Sequence, residues 1–189
     1  MFSTKSQVLP GATPDPAETP KPQSGAPAAQ PPMSPEAARK AAEASDQRAA
    51  AFGRIMAIMS ASNRHNKLTL RELTTYVTPA IALGQFAMVG AQQQQGGPMS
   101  VAAVVWWAMV SPEVDKRLSD STSEFLHVEG KDWKSGGQPW VIDTVGEPKI
   151  VGELLKKLSE STFKATPAKI RAAMPDGRMA VGYIKPKEA

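Results

Sequence analysis

The stretch Trp140-Val141-Ile142-Asp143-Thr144-Val145 decides how the rest of the chain is read. Its apolar residues fall on both alternating faces, as in a strand covered on two sides at the centre of a sheet. Asp143 is out of place there. Burying an unpaired carboxylate costs several kcal/mol, so its side chain needs a partner. Backbone amides or a lysine at a strand end would serve, and so would a functional role; the stretch alone leaves both open.

Outward from this strand, Ile81 to Val89 and Val101 to Val110 read as two more, flanking a Gln92–Gly97 loop. A turn at Pro175-Asp176-Gly177 leads into a last strand, Met179 to Ile184. Gly136-Gly137 precedes a strand and not a helix, which makes it a turn and not a phosphate cradle. The helices carry the other period. Phe52, Ile55, Met56 and Met59 share one face, and Ile150, Val151, Leu154, Leu155 and Leu158 share another, with Lys156 and Lys157 outside. Thr69 with Glu72 three residues on is a capping box, opening a short helix from about Leu70 that should end before Pro79. Ser111-Pro112-Glu113 starts a further helix with Val114 and Leu118 inward. The pattern is α+β, helices packed on a largely antiparallel sheet.

Residues 1–33 are rich in proline among Ala, Ser, Thr and Gln and cannot bury enough apolar surface to offset ordering entropy, so a disordered tail is expected. Ser34-Pro35 reads as a helix start, an Ala-rich helical extension covers 34–50, and the packed domain covers 51–189.

Composition removes several functions. Cysteine is absent, which excludes disulfides, a thiolate nucleophile and thiolate zinc sites, and two histidines speak against any metal. No apolar run reaches the ~18–20 residues of a membrane span, and the N-terminus lacks the pattern of a secretory signal, so a cytosolic protein is expected. The net charge of +4 is concentrated late: residues 149–189 carry nine Lys or Arg, among them Lys156, Lys157, Lys164, Lys169 and Arg171, against four acids. An acidic partner would dock near that end. Nucleic acid is not expected, because no binding motif is present and only 6% of residues are aromatic.

Besides Asp143, three polar side chains are weighed for chemistry: His65, Ser62 and His127. His65 lies in the polar run Ser62-Asn63-Arg64-His65-Asn66-Lys67 between two helices, and an imidazole with a reference pKa near ~6.5 is suited to moving protons. By itself the pattern favours an exposed loop histidine. Ser62 falls three residues earlier, on one face with His65 if the helical turn continues, although a capping hydroxyl is the more ordinary reading. His127, flanked by acids, reads as a partly solvated residue, and Trp106, Trp107, Trp133 and Trp140 read as core or rim.

The collinear order of several motifs carries more. A helix ending in Ser62-x-x-His65 comes first, then Pro79-Ala80-Ile81 leading to Gln85-Phe86-Ala87, then Trp107-Ala108 followed by Ser111. Asp132-Trp133-x-Ser135-Gly136 and Trp140-x-Ile142-Asp143 complete the set, and with them residues 52–184 resemble the toxin-activating lysine acyltransferases that act on RTX toxins. The resemblance implies transfer of a fatty acyl group from acyl carrier protein to an internal lysine of a protoxin, with no cofactor beyond that donor. It assigns the catalytic roles to His65 and Asp143 and a supporting one to Ser62. It also implies a GNAT-like fold, a mixed sheet flanked by helices, and a homodimer.

The chain departs from the family beside the proposed site, with Asn66-Lys67-Leu68 after the histidine and Gly146-Glu147-Pro148-Lys149 after the aspartate. Two alternatives therefore stand beside the enzyme: a non-catalytic relative that binds a carrier protein or toxin, and an enzyme that acylates a different protein. An acetyl-coenzyme A enzyme has less support, because no glycine-rich pyrophosphate loop precedes a helix.

Overall fold

The structure is a computed structural model that describes residues 34–92, 99–174 and 179–185. The expected tail, the loop after Gln92 and the Pro175-Asp176-Gly177 turn lie outside them. Ten elements follow in order: α1 (Pro35–Ser60), α2 (Leu70–Leu83), β1 (Phe86–Gln92), β2 (Met99–Val110), α3 (Pro112–Asp120), a 3-10 turn (Gly130–Asp132), β3 (Gln138–Gly146), α4 (Pro148–Glu160), β4 (Ala168–Ala173) and β5 (Met179–Ile184).

The five strands form one sheet in chain order, with β3 in the middle as its apolar faces predict. Every pairing is antiparallel except β3 with β4, which α4 joins by a crossover. Side chains alternate between two cores. On one face Ile55 and Met59 of α1, Val77 and Ile81 of α2, and Val114 and Leu118 of α3 pack against Trp106, Trp140 and Ile142. On the other, Leu154 and Leu158 of α4 pack with Phe163 against Val105, Trp107 and Val141. Each of these aliphatic side chains, fully buried, contributes about 1.5–3 kcal/mol. The early part of α1 adds none of this: Ala51 is its first buried residue.

Two expectations need correction. The second helix does not end before Pro79 but runs through it to Leu83, so Ile81 is helical and the strand expected to begin there starts at Phe86. Proline forfeits one helical hydrogen bond, at a cost of about 3 kcal/mol, but Val77, Ala80 and Ile81 on the same turns are buried and hold the helix on course. The true stop is Gly84 in the left-handed conformation at φ 66°, where the Gln85 amide donates to the Ala80 carbonyl. The other miss is β4, whose Ala168-Lys169-Ile170-Arg171 carries no clear strand period.

Two irregularities position the site. Trp106 pairs with Asp143 but Trp107 pairs with Val141, so Ile142 is an extra residue in β3. The bulge breaks the alternation: Ile142 packs on the face of α1 and α2, and Asp143, next in sequence, reaches that same face. Beyond it the pairing of β3 with β4 lapses, since only Trp140 with Lys169 and Val141 with Ile170 are in register.

Gly146 closes β3 at φ 131°, and a Cβ there would fall 2.7 Å from the Ala103 Cα and closer still to the Ala102 carbonyl oxygen. Gly146→Ala should therefore lower the denaturant midpoint, with a loss of about 2 kcal/mol or more from strain and overlap combined. An unchanged midpoint in an equilibrium urea titration would contradict this.

Candidate active site

His65 is placed by tight turns after α1. The Ser62 amide donates to the Met59 carbonyl, the amides of His65 and Asn66 both donate to the Ser62 carbonyl, and the Leu68 amide donates to that of His65. The capping box then opens α2. The Thr69 amide donates to the Glu72 carboxylate at 2.7 Å and the Glu72 amide to the Thr69 hydroxyl at 3.3 Å, and the first of these bonds holds the Glu72 carboxyl below its ordinary value. Far from being an exposed loop residue, His65 is 2% exposed, facing β3.

The three residues singled out meet in one buried chain. His65 Nε2 lies 2.9 Å from Asp143 Oδ2, and Ser62 Oγ lies 2.8 Å from His65 Nδ1. A carboxylate only accepts, so in the neutral ring Nε2 carries the hydrogen and Nδ1 accepts from the serine hydroxyl. The result is an imidazole of fixed tautomer whose free lone pair points at a hydroxyl.

Three groups that the sequence did not single out complete the site. Arg64 Nη1 donates to Asp143 Oδ1 at 2.6 Å, the Tyr76 hydroxyl donates to Oδ2 at 2.8 Å, and the Thr144 amide donates to Oδ1 at 2.7 Å. With His65 these make four donors on one carboxylate whose side chain is 3% exposed. Burial first, and then the charge of Asp143, push the Tyr76 phenol well above its ordinary range, so it remains a donor at physiological pH. Tyr76 sits edge-on to Trp106 and Phe125, and Phe125 covers His65 with ring centroids 5.5 Å apart. Arg64 had a signal, its place beside the histidine; Tyr76 and Phe125 had none.

The remaining candidates stand outside the hydrogen-bonded chain, although His127 lies two residues from Phe125 and shares a cavity wall with it. His127 is exposed. Trp106, Trp133 and Trp140 are core residues, the last donating its indole N–H to Asp115 at 2.6 Å. Lys169 pairs with Asp115 at 2.8 Å, and Arg171 donates to the carbonyls of Ser121 and Ser123, so these two cations of the basic C-terminal stretch are committed within the fold. Among the described residues no three His, Asp or Glu side chains gather as a metal ion requires, and no helix is long and apolar enough to cross a membrane.

A cavity of about 380 Å3 lies where β3 and β4 part, lined by Arg64, Glu124, Asp143, Thr144, Ile170 and Arg171. A second, of about 300 Å3, lies between α2 and residues 125–128, with Tyr76 and Phe125 in its wall.

A family model described as the RTX toxin acyltransferase family matches residues 44–181, a span that takes in Ser62, His65 and Asp143. The chain belongs to that family. Membership makes it a toxin-activating acyltransferase and gives it a toxin substrate. No curated protein matches the chain. In this acyltransferase the match runs from the middle of α1 into β5, so it covers both cores as well as the buried chain of side chains.

The raised phenol of Tyr76 sets an alkaline limit. The unfolded chain releases that proton near pH 10 and the folded one resists, so the stabilisation is complete below pH 10 and is lost as pH rises above it. Tyr76→Phe should cost about 1.5–3 kcal/mol at pH 8 through the lost bond to a charged acceptor, and should flatten the fall in stability between pH 9 and 11. Urea midpoints across that range would show both effects. An equally steep fall in the variant would contradict the assignment.

Proposed function

We propose that this acyltransferase takes a fatty acyl group from acyl carrier protein and transfers it to an internal lysine of an RTX-type protoxin, with His65 as general base and Asp143 as its partner. The observation that carries the reading is the buried Ser62–His65–Asp143 chain within the family match. A lysine amine is protonated at neutral pH, its reference pKa being about 10.4, and attacks a thioester only after losing that proton. Asp143 orients the imidazole and stabilises the imidazolium formed. Nδ1 is the nitrogen with a free lone pair, and it faces Ser62, so the proton reaches it either directly, once the amine displaces that hydroxyl, or through the hydroxyl as a relay. The nitrogen of the amine bonds to the acyl carbon, the carrier's thiolate leaves, and the imidazolium returns the proton to that thiolate.

An acyl-histidine intermediate is the competing mechanism: it needs Nδ1 to leave Ser62 and attack the acyl carbon itself, whereas the general-base route can pass the proton through that hydroxyl with the bond in place. A GNAT-like fold, a cytoplasmic location and a homodimer belong to the same proposal. The mixed sheet with one parallel pair is in keeping with the first.

Co-expression with an RTX-type toxin and acyl carrier protein, followed by intact-mass measurement of the toxin, tests the reading. Wild type should add a fatty acyl mass that maps to lysine. His65→Ala and Asp143→Asn should each slow the transfer by about 10²–10⁴-fold, and Ser62→Ala by less. If the toxin gains no mass, or gains it equally with His65→Ala, the proposal fails; toxin binding that survives without acylation would point to the non-catalytic alternative.

A further inference from the structure

In this arrangement no substrate reaches His65. Its side chain is 2% exposed, both ring nitrogens are bonded, and the Phe125 ring lies over it. Phe125 belongs to the connection from α3 to the 3-10 turn, residues 121–129, which contains neither helix nor strand. The later part of this connection is anchored by Leu126 and Val128 in the core. Its first part is gripped by two arginines from other elements. Arg171 of β4 holds the carbonyls of Ser121 and Ser123, and Arg64 holds the next residue.

Arg64 grips both sides of the site. One nitrogen, Nη1, bonds Asp143; the other, Nη2, donates to the Glu124 carbonyl at 3.1 Å, and Nε lies 3.7 Å from the Glu124 carboxylate. The guanidinium stacks over the Phe125 ring, 4.7 Å from its centroid. The two cavities beside the site lie on either side of this contact: Arg64 lines the first, Phe125 the second and Leu126 both. Displacing Phe125 would uncover His65 and join the two spaces.

We propose that Arg64 is a positioning residue that couples the placement of Asp143 to the closure of residues 121–125 over His65. The segment opens by giving up the bonds from Arg64 to Glu124 and Phe125 while the bond to Asp143 persists, so the aspartate stays aligned as the imidazole becomes accessible. The proposal rests on His65 being the working base, but its test reads access and not turnover.

The chain has two histidines, and exposed His127 serves as an internal control. The full-length protein is treated with diethyl pyrocarbonate, and modification of each histidine is followed by peptide mass spectrometry. In wild type His65 should react at least about tenfold more slowly than His127. In Arg64→Met, His65 should speed up by about tenfold, the change in opening equilibrium expected from losing a charge-assisted hydrogen bond, while His127 keeps its rate. Arg64→Lys should fall between the two. Phe125→Ala, which removes the cover without touching Asp143, should also speed His65 and serves as the second variant if Arg64→Met does not fold.

Equal rates at the two histidines in wild type, an unchanged His65 rate in the variants, or acceleration of both histidines together would each overturn the proposal. Acylation measured in parallel keeps the readings apart: absence of toxin acylation by wild type sinks the acyl-transfer reading and leaves the access result standing.

Discussion

Four hydrogen bonds converge on the Asp143 carboxylate at the middle of the sheet, and the surrounding chain is arranged by the cost of leaving that charge unpaired. The donors come from the turn after α1, from α2 and from β3 itself, segments that no common helix or ladder joins. Removing any one of them leaves the others holding an under-satisfied buried charge, which is why such networks resist piecemeal change. The β3 bulge is what lets the two neighbours share a face: were Ile142 kept in strict alternation, with no bulge, Asp143 would point to the face of α4, away from His65 and Tyr76.

This explains which parts of the molecule could be read from the sequence. Elements whose ends carry their own local chemistry were legible: the capping box of Thr69 and Glu72, the Ser111-Pro112 start of α3, and the apolar stripe of α4. Pro79 misled because tertiary burial outweighed a local penalty, whereas Gly84, five residues later, carried the real stop. Strand β4 was hidden because Lys169 and Arg171 are polar for tertiary reasons, the one bonded to Asp115 and the other to loop carbonyls.

The site divides in the same way. Asp143 announced itself by its cost, while His65 and Ser62 gained meaning only from the collinear family pattern. Tyr76 and Arg64 bond Asp143 across sequence separations of 67 and 79 residues. No local spacing encodes those contacts; they follow from where a bulge turns one carboxylate. The two arginines at the mouth show a related economy. Burial, and then the neighbouring Arg64 charge, hold Arg171 below the usual arginine range, yet both cations are used to fasten loop carbonyls that lack a ladder of their own.

The lapse of pairing between β3 and β4 gives the sheet an unequal texture. Three antiparallel strands form one ribbon and two form another, and a pair of registered residues on each side rivets them together. Backbone cooperativity is thinnest at that rivet, and β4 and β5 are held on largely by side chains: Ala168, Ile170 and Ile184 in the core under α4, Lys169 on Asp115, and Arg171 on the loop carbonyls. Asp143 belongs to the three-stranded ribbon and Arg171 to the two-stranded one. One wall of the cleft is therefore fastened to its floor by side chains more than by backbone.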